Sequence, residues 1–294
     1  MNVVYLPMNL LRTLAAVIDL GGYTRAADAL GRTQPAISLQ IRRLETLLGS
    51  RLIIHSGRQM KLTEKGETLV QFARQILRLN DEAVARFSDR SATGTLRVGL
   101  PTDYSVSYLQ DAMSAFANQH DGVTLEIHCD LSRHLIDALH QDDLDMAVGI
   151  LSQGENPYLV REWEDTPIWA APLGFEMGAA ETVPLVGHPE GCEYRNRMIS
   201  ALTKAGRPWR VAYTSPGISG LQQAVCSGLG VTALTRKTIT PEMKILTPED
   251  GFPAMADFRI GMFYKHARLT DAGLMLVNLL IECLDEASDS RGDV

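Results

Sequence analysis

Residues 24–45 read TRAADALGRTQPAISLQIRRLE. Two short helices with a break at Gly31 are written into this stretch. The first, RAADAL, is rich in small residues, so Ala26, Ala27 and Ala29 let another helix approach closely. Thr24 is placed to cap it, and Gly31 stops it. Thr33 can cap the second helix, with Pro35 in its first turn, where a missing N–H costs nothing. Ile37, Ile41, Leu44 and Leu48 recur at spacings of four, three and four, the stripe of a helix packed on one side. Gln34, Ser38 and Arg42 share a different, polar face. Helix, tight turn, and a second helix with a polar reading face make the helix-turn-helix pattern.

The flanks extend the pattern. Leu10, Leu11, Leu14, Val17 and Ile18 mark an amphipathic helix over about 8–20. After the central pair, LIIH (52–55) and QMKLT (59–63) read as a hairpin, or wing, around Ser56-Gly57 that carries Arg51, Arg58 and Lys61. Thr63 then caps a long helix. Its stripe of Leu69, Phe72, Ile76, Asn80, Ala83 and Phe87 runs to about residue 89. A helix of that length cannot hide its stripe alone, which predicts pairing with a second copy of the chain. SDRSATG (88–94) reads as a hinge.

Beyond the hinge the periodicity changes. Strands at 95–100, 123–129 and 144–150 alternate with helices at 105–118 and 132–141. That order predicts a parallel sheet with right-handed crossovers. A second set follows: strands at 167–173, 182–187, 209–214, 231–235 and 258–264, helices at 191–205 and 217–227, and a C-terminal helix at 270–287. Two α/β lobes fit this better than one.

Charge separates the two parts. The 294-residue chain is acidic, net −7, and 45% hydrophobic, enough for two or three domains with real cores. Residues 1–91 nevertheless carry 13 Lys and Arg against 8 Asp and Glu. The remainder carries 15 against 27. A basic head on an acidic body calls for a polyanion partner at the head only. Cys129, Cys192, Cys226 and Cys283 form no CxxC pair, so reduced thiols are expected, with neither a disulfide framework nor a metal site. LLRTLAAVIDL, interrupted by Arg12 and Asp19, is a poor signal-peptide core, and no apolar run is long enough to span a bilayer. The expectation is a cytoplasmic protein with no membrane partner and no cofactor.

The framework AA-x-x-L…Q-P-A-I-S-x-Q-I-x-x-LE…LG within residues 9–70 resembles the LysR-type transcriptional regulators. GLPTDY (99–104), GCEYR (191–195), AGRPWRVAYTSPGISGLQ (205–222) and GLGVTAL (228–234) resemble its LrhA/HexA-like branch. The resemblance implies a bacterial, DNA-binding transcriptional regulator rather than an enzyme. It implies a winged helix-turn-helix over 1–63, a dimerising linker helix over 64–91 and an effector-binding domain over 92–294. That last domain would have two Rossmann-like α/β lobes of the periplasmic-binding-protein type II fold: lobe I at about 94–164 and 267–290, lobe II at about 165–266. Family members usually assemble as tetramers made of two dimers. The partners implied are double-stranded operator DNA, a small-molecule effector and further copies of the chain.

By position, Gln34, Pro35, Ser38 and Arg58 match the family's DNA-contacting residues. Gln34 can bond adenine in a bidentate manner and Ser38 a base edge or phosphate. Arg58 at a hairpin tip suits the minor groove or a phosphate. Thr33 can offer its backbone N–H to a phosphate, and Arg42 and Arg43 add phosphate contacts. Leu39 stands where the family often has Arg, and can meet a thymine methyl or simply drop a phosphate contact. His55 replaces the wing's usual Arg.

In an open parallel sheet, ligands sit beyond the carboxyl ends of the strands. The loops there offer Thr102, Asp103, Ser105, Asp130, Ser132, Ile150, Ser215 and Ser219, a hydroxyl-rich set suited to a small carboxylate. Asp103 would repel an anion unless it serves as the helix N-cap. Cys192 at a helix start, and Cys129 at a strand end, are candidate redox thiols, against the plainer reading of small packed residues. GISG (217–220) falls one residue short of an esterase elbow. His128, His134 and His140 make no metal face. A solute-binding protein and an enzyme are the competing readings. The basic head opposes the first, and no catalytic constellation supports the second.

Overall fold

The computed structural model describes residues 5–56, 59–85, 93–151, 158–178, 181–266 and 268–289. Helices α1 (Met8–Asp19), α2 (Tyr23–Ala29) and α3 (Gln34–Leu48) enclose the stripe positions Leu10, Leu11, Leu14, Val17, Ile37, Ile41 and Leu44, all buried, with Ala26 and Ala27 at the close approach. Gly31 and Gly49 end α2 and α3 in the left-handed region, at φ 59 and 61, where a Cβ is strained. Helix α2 starts two residues earlier than its composition predicts. Gly22 takes the cap position and Thr24 lies inside the first turn. Thr33 stands at the N-cap of α3 in extended backbone, with no side-chain capping bond.

The wing pairs β1 (Ile53–Ser56) with β2 (Gln59–Leu62), antiparallel, Ile53 opposite Leu62. Its start is fixed by the Glu45 carboxylate of α3, which accepts the Leu52 N–H at 2.8 Å. Thr63 caps α4 (Glu64–Ala85), its hydroxyl accepting the Gly66 N–H at 3.0 Å. Gly66 is held tightly against the wing, because a Cβ there would lie 2.1 Å from the Leu52 carbonyl oxygen. Helix α4 has two apolar faces. Val70, Ala73 and Leu77 are buried in the same cluster as α1, while Phe72, Leu79 and Val84 are exposed. Of the stripe read from the sequence, Leu69 and Ile76 are half-buried, and Phe72 and Ala83 face outward. That stripe straddles both faces, since Leu69 and Ile76 pack against the inner cluster. The inner face, built on small Ala73, was not separated from the outer one. Phe87, most of the expected hinge and Arg58 lie outside the described residues.

The α/β part begins with β3 (Gly94–Leu100), flanked in parallel by β4 (Val123–Cys129) and β5 (Met146–Ile150). The sheet is then completed by antiparallel neighbours, β12 (Phe258–Tyr264) against β5 and β6 (Leu159–Asp165) against β12. The expected parallel sheet is therefore mixed. Strand β12 belongs to it although 258–264 fell within the range expected for lobe II, since alternation reveals a strand and not the sheet it joins. Helices α6 (Gln110–Gln119), α7 (Ser132–His140) and α10 (Asp271–Asp289) pack on this sheet. The first turn after β3, α5 (Thr102–Tyr104), reaches α6 through a π-helical turn over Ser105–Leu109.

The second unit pairs β8 (Val183–Gly187) with β9 (Trp209–Thr214) in parallel, and sets β7 (Ile168–Pro172) between β10 (Thr232–Leu234) and β11 (Met243–Leu246), both antiparallel to it. Helices α8 (Glu193–Lys204) and α9 (Ile218–Cys226) cover it. Strands β6 and β11 were not read from the sequence. The run LVREWED leaves Arg161, Glu162 and Glu164 exposed on an edge strand, and the consecutive charges at 161 and 162 break the apolar alternation.

Candidate DNA interface and interlobe cleft

Helix α3 turns its buried stripe inward and leaves Thr33, Gln34, Pro35, Leu39, Arg42 and Arg43 exposed along the opposite side. Ser38 is half-buried between the two faces. Leu39 is 67% exposed, a large apolar side chain on an otherwise polar face. Among the described residues, no side-chain hydrogen bond that fixes this region uses Gln34 or Ser38. Gln40, on the inner flank, instead meets the Thr13 hydroxyl of α1. The face is thus presented to solvent by a three-helix core packed behind it.

The second site is a cleft of about 340 Å³ between the two α/β units. It lies beyond the carboxyl ends of β3, β4 and β5, where such sheets bind ligands. Pro101, Thr102 and Asp103 follow β3. Asp130, Leu131, Ser132 and Arg133 follow β4, Ile150 ends β5, and His188, Cys192 and Tyr194 close the far wall. Of the residues expected here, Thr102, Asp103, Asp130, Ser132 and Ile150 come together. Ser105, Ser215 and Ser219 do not line it. Ser105 opens the π turn, Ser215 is buried and bonds Gly217, and Ser219 is exposed on α9.

Several polar groups are already engaged. The Ser132 hydroxyl accepts the Ile150 N–H at 2.9 Å, tying α7 to β5. Asp130 accepts the Leu131 N–H at 2.6 Å and faces His134 Nδ1 at 3.0 Å. Arg133 reaches across the cleft mouth and donates to the Glu190 carbonyl at 3.2 Å. Gly191, at φ 87, makes room for it.

Asp103 is not the helix N-cap, a position that Pro101 holds. Its carboxyl is buried and accepts the Tyr194 hydroxyl at 2.5 Å, a bond that crosses from one unit to the other. Burial pushes Asp103 up to about 6, against the opposing pull of Tyr194 and of the N–H groups at the helix start. Cys192 does cap α8, yet burial pushes its thiol up to about 12, outweighing the N–H groups of Tyr194 and Arg195. The favourable helix-start position therefore does not produce a thiolate. Cys129 lines the cleft and is exposed. His188 is buried, which lowers its basicity, and its Nδ1 has no partner among the described residues. Sequence reasoning missed Tyr194, Arg133 and His188. Only the GCEYR motif marked one of them, and nothing in it revealed a bond to Asp103.

Residues 8–67 match the description "Bacterial regulatory helix-turn-helix protein, lysR family", and residues 89–289 match "LysR substrate binding domain". The chain belongs to the LysR family of transcriptional regulators. It is similar to the HTH-type transcriptional regulator PecT of Dickeya dadantii (strain 3937), 31% identical over 289 residues that cover 98% of this chain and 90% of PecT. DgdR of Burkholderia cepacia is also 31% identical, over 90% of this chain and 89% of its own. Among solved structures, the fold is shared with CrgA of Neisseria meningitidis (18% identity, TM-score 0.55, 95% of this chain and 99% of that one). Vibrio fischeri DarR, solved in complex with DNA, shares it too (16% identity, TM-score 0.53, 95% and 99%). As a LysR-family regulator the chain binds DNA through its helix-turn-helix and carries an effector-binding domain. The relatives with which it aligns are regulators. Among the described residues, no helix is long and apolar enough to cross a membrane.

Proposed function

We propose that this LysR regulator reads its operator with α3, through Gln34, Ser38 and Leu39 toward base edges and Thr33, Pro35, Arg42 and Arg43 toward the backbone, joined by Arg58, which matches the family's DNA-contacting pattern. The observation that carries the reading is the exposure of Thr33, Gln34, Pro35, Leu39, Arg42 and Arg43, with Ser38 half-buried beside them, on a helix whose other side is locked into the core. The regulatory ligand is a small molecule held in the cleft by Thr102, Asp130, Ser132 and Ile150. The domain limits are 1–63, 64–91 and 92–294, and the exposed face of α4 joins two chains, with two such dimers forming a tetramer in the cytoplasm. In this reading the protein carries out no catalysis, and the resemblance of its C-terminal motifs favours the LrhA/HexA-like branch.

Gln34→Ala tests the interface. Mobility shifts over a salt series should show the specific complex lost and a weak, steeply salt-dependent one retained, since phosphate contacts alone carry no sequence information. An unchanged sequence preference would refute the assignment of Gln34.

A further inference from the structure

Four charges lie in a crossed arrangement where α1 meets α4. On α1, Arg12 and Asp19 are seven residues apart, and on α4 so are Arg74 and Asp81. Seven residues is close to two helical turns, so each pair shares a face. Arg12 donates to Asp81 at 2.5 and 3.2 Å, and Arg74 donates to Asp19 at 2.5 Å. The Asp19–Arg74 pair is fully buried. It also sits at the carboxyl end of α1, where the helix dipole disfavours a carboxylate. A charge kept in so costly a place needs compensation from its surroundings.

That compensation comes from the regulatory domain. The backbone N–H of His266 donates to Asp19 at 3.0 Å. The imidazole of the same residue, itself buried, lies 3.1 Å from Asp81 by Nε2. One residue thus touches both crossed pairs. Two further links lie beside it. The Tyr158 hydroxyl donates to the Asp19 carbonyl at 3.4 Å, and Arg78 donates to Asn278 of α10 at 3.2 Å. His266 follows β12 by two residues. At its other end, β12 starts with Phe258, whose ring packs edge-on against Tyr194 of the cleft wall at 5.0 Å. A single interior strand therefore has one end at the cleft and the other at the crossed charges.

We propose that His266 is a positioning residue for DNA binding: it clamps the reading head and its linker helix to the regulatory domain of the same chain. The orientation in which α3 meets the operator is then set by the regulatory domain, and β12 carries a change at the cleft to the head. This deepens, and rests on, the reading of α3 as the DNA-facing helix.

The test uses the full-length chain with His266→Ala, His266→Gln and Tyr158→Phe, none of which removes the Arg12–Asp81 or Asp19–Arg74 partners. Hydrogen exchange without DNA should become roughly tenfold faster over 17–20 and 264–266 in His266→Ala, and faster to a lesser degree in Tyr158→Phe. The bend imposed on an operator fragment should change in His266→Ala, while elution from heparin stays at the wild-type salt concentration. His266→Gln, which keeps a donor facing Asp81, should restore both. If His266→Ala does not fold, Tyr158→Phe alone decides the exchange result. Unchanged exchange and bend in the folded variants would overturn the clamp. If instead wild type and Gln34→Ala bend and bind all fragments alike, the reading of α3 fails, and exchange still judges the clamp.

Discussion

Replacing Asp103 by Asn should make the protein more stable at neutral pH, and the gain should vanish in acid. The group ordinarily titrates near 3.8 and in the fold is pushed up to about 6 by burial. Below pH 3.8 the carboxyl is protonated in both folded and unfolded chains, so it has no effect on their balance. As pH rises toward 6 the unfolded chain ionises first, and folding loses free energy. Above 6 the loss is complete, roughly 3 kcal/mol at about 1.4 kcal/mol per pH unit. Asparagine keeps an oxygen for the Tyr194 hydroxyl and cannot ionise. Urea unfolding followed by tryptophan fluorescence suits the measurement, because Trp163, Trp169 and Trp209 all lie in the two α/β units. The difference between variant and wild type should be near zero at pH 4 and rise to about 2–3 kcal/mol by pH 7.5. A difference that is flat with pH, or an Asn variant weaker at pH 7.5, would refute the account of Asp103 as a carboxyl whose ionisation is costly.

Other perturbations probe different joints. Gly66→Ala drives a methyl into the Leu52 carbonyl and should cost about 1–3 kcal/mol in thermal unfolding of the head, as overpacking does. Phe72→Glu with Leu79→Glu places charge on the exposed face of α4, and sedimentation should show lighter assemblies than wild type. Thiol titration with an aromatic disulfide at pH 8 should modify exposed Cys129 and Cys226 in the native protein and reach Cys192 only after unfolding, given a thiol pushed up to about 12. Peroxide should accordingly leave Cys192 unmodified.

The head was legible in the sequence because its signals are local. Gly31, Pro35 and the Ile37–Ile41–Leu44 stripe each act within one or two turns, and the α/β strands with plain apolar alternation stood out for the same reason. The strand Leu159–Asp165 did not, because its edge position puts charge on half of its residues. The cleft was legible only as a set of loops. Position after a strand end brought Thr102, Asp130, Ser132 and Ile150 to it, and the same rule misplaced Ser105, Ser215 and Ser219. What the sequence withheld was long-range pairing. Asp103 and Tyr194 are 91 residues apart, and no local pattern tells a carboxyl that caps its own helix from one that reaches across to another unit.

The π turn at Ser105–Leu109 carries a consequence for how this cleft can diverge. An α-helix advances about 100° per residue, and a π turn holds one residue more than the α turn it replaces. Thr102 and Asp103 before the turn and Met113 and Phe116 after it are therefore set in two independent phases along one continuous helix. Loss of one residue within 105–109 would swing the turn over 102–104, with its buried Tyr104 and Asp103, by about 100° while the downstream helix kept its seat in the core. A single-codon deletion there would rebuild the cleft wall after β3 and break the Asp103–Tyr194 bond between the two units, while leaving α6 in place.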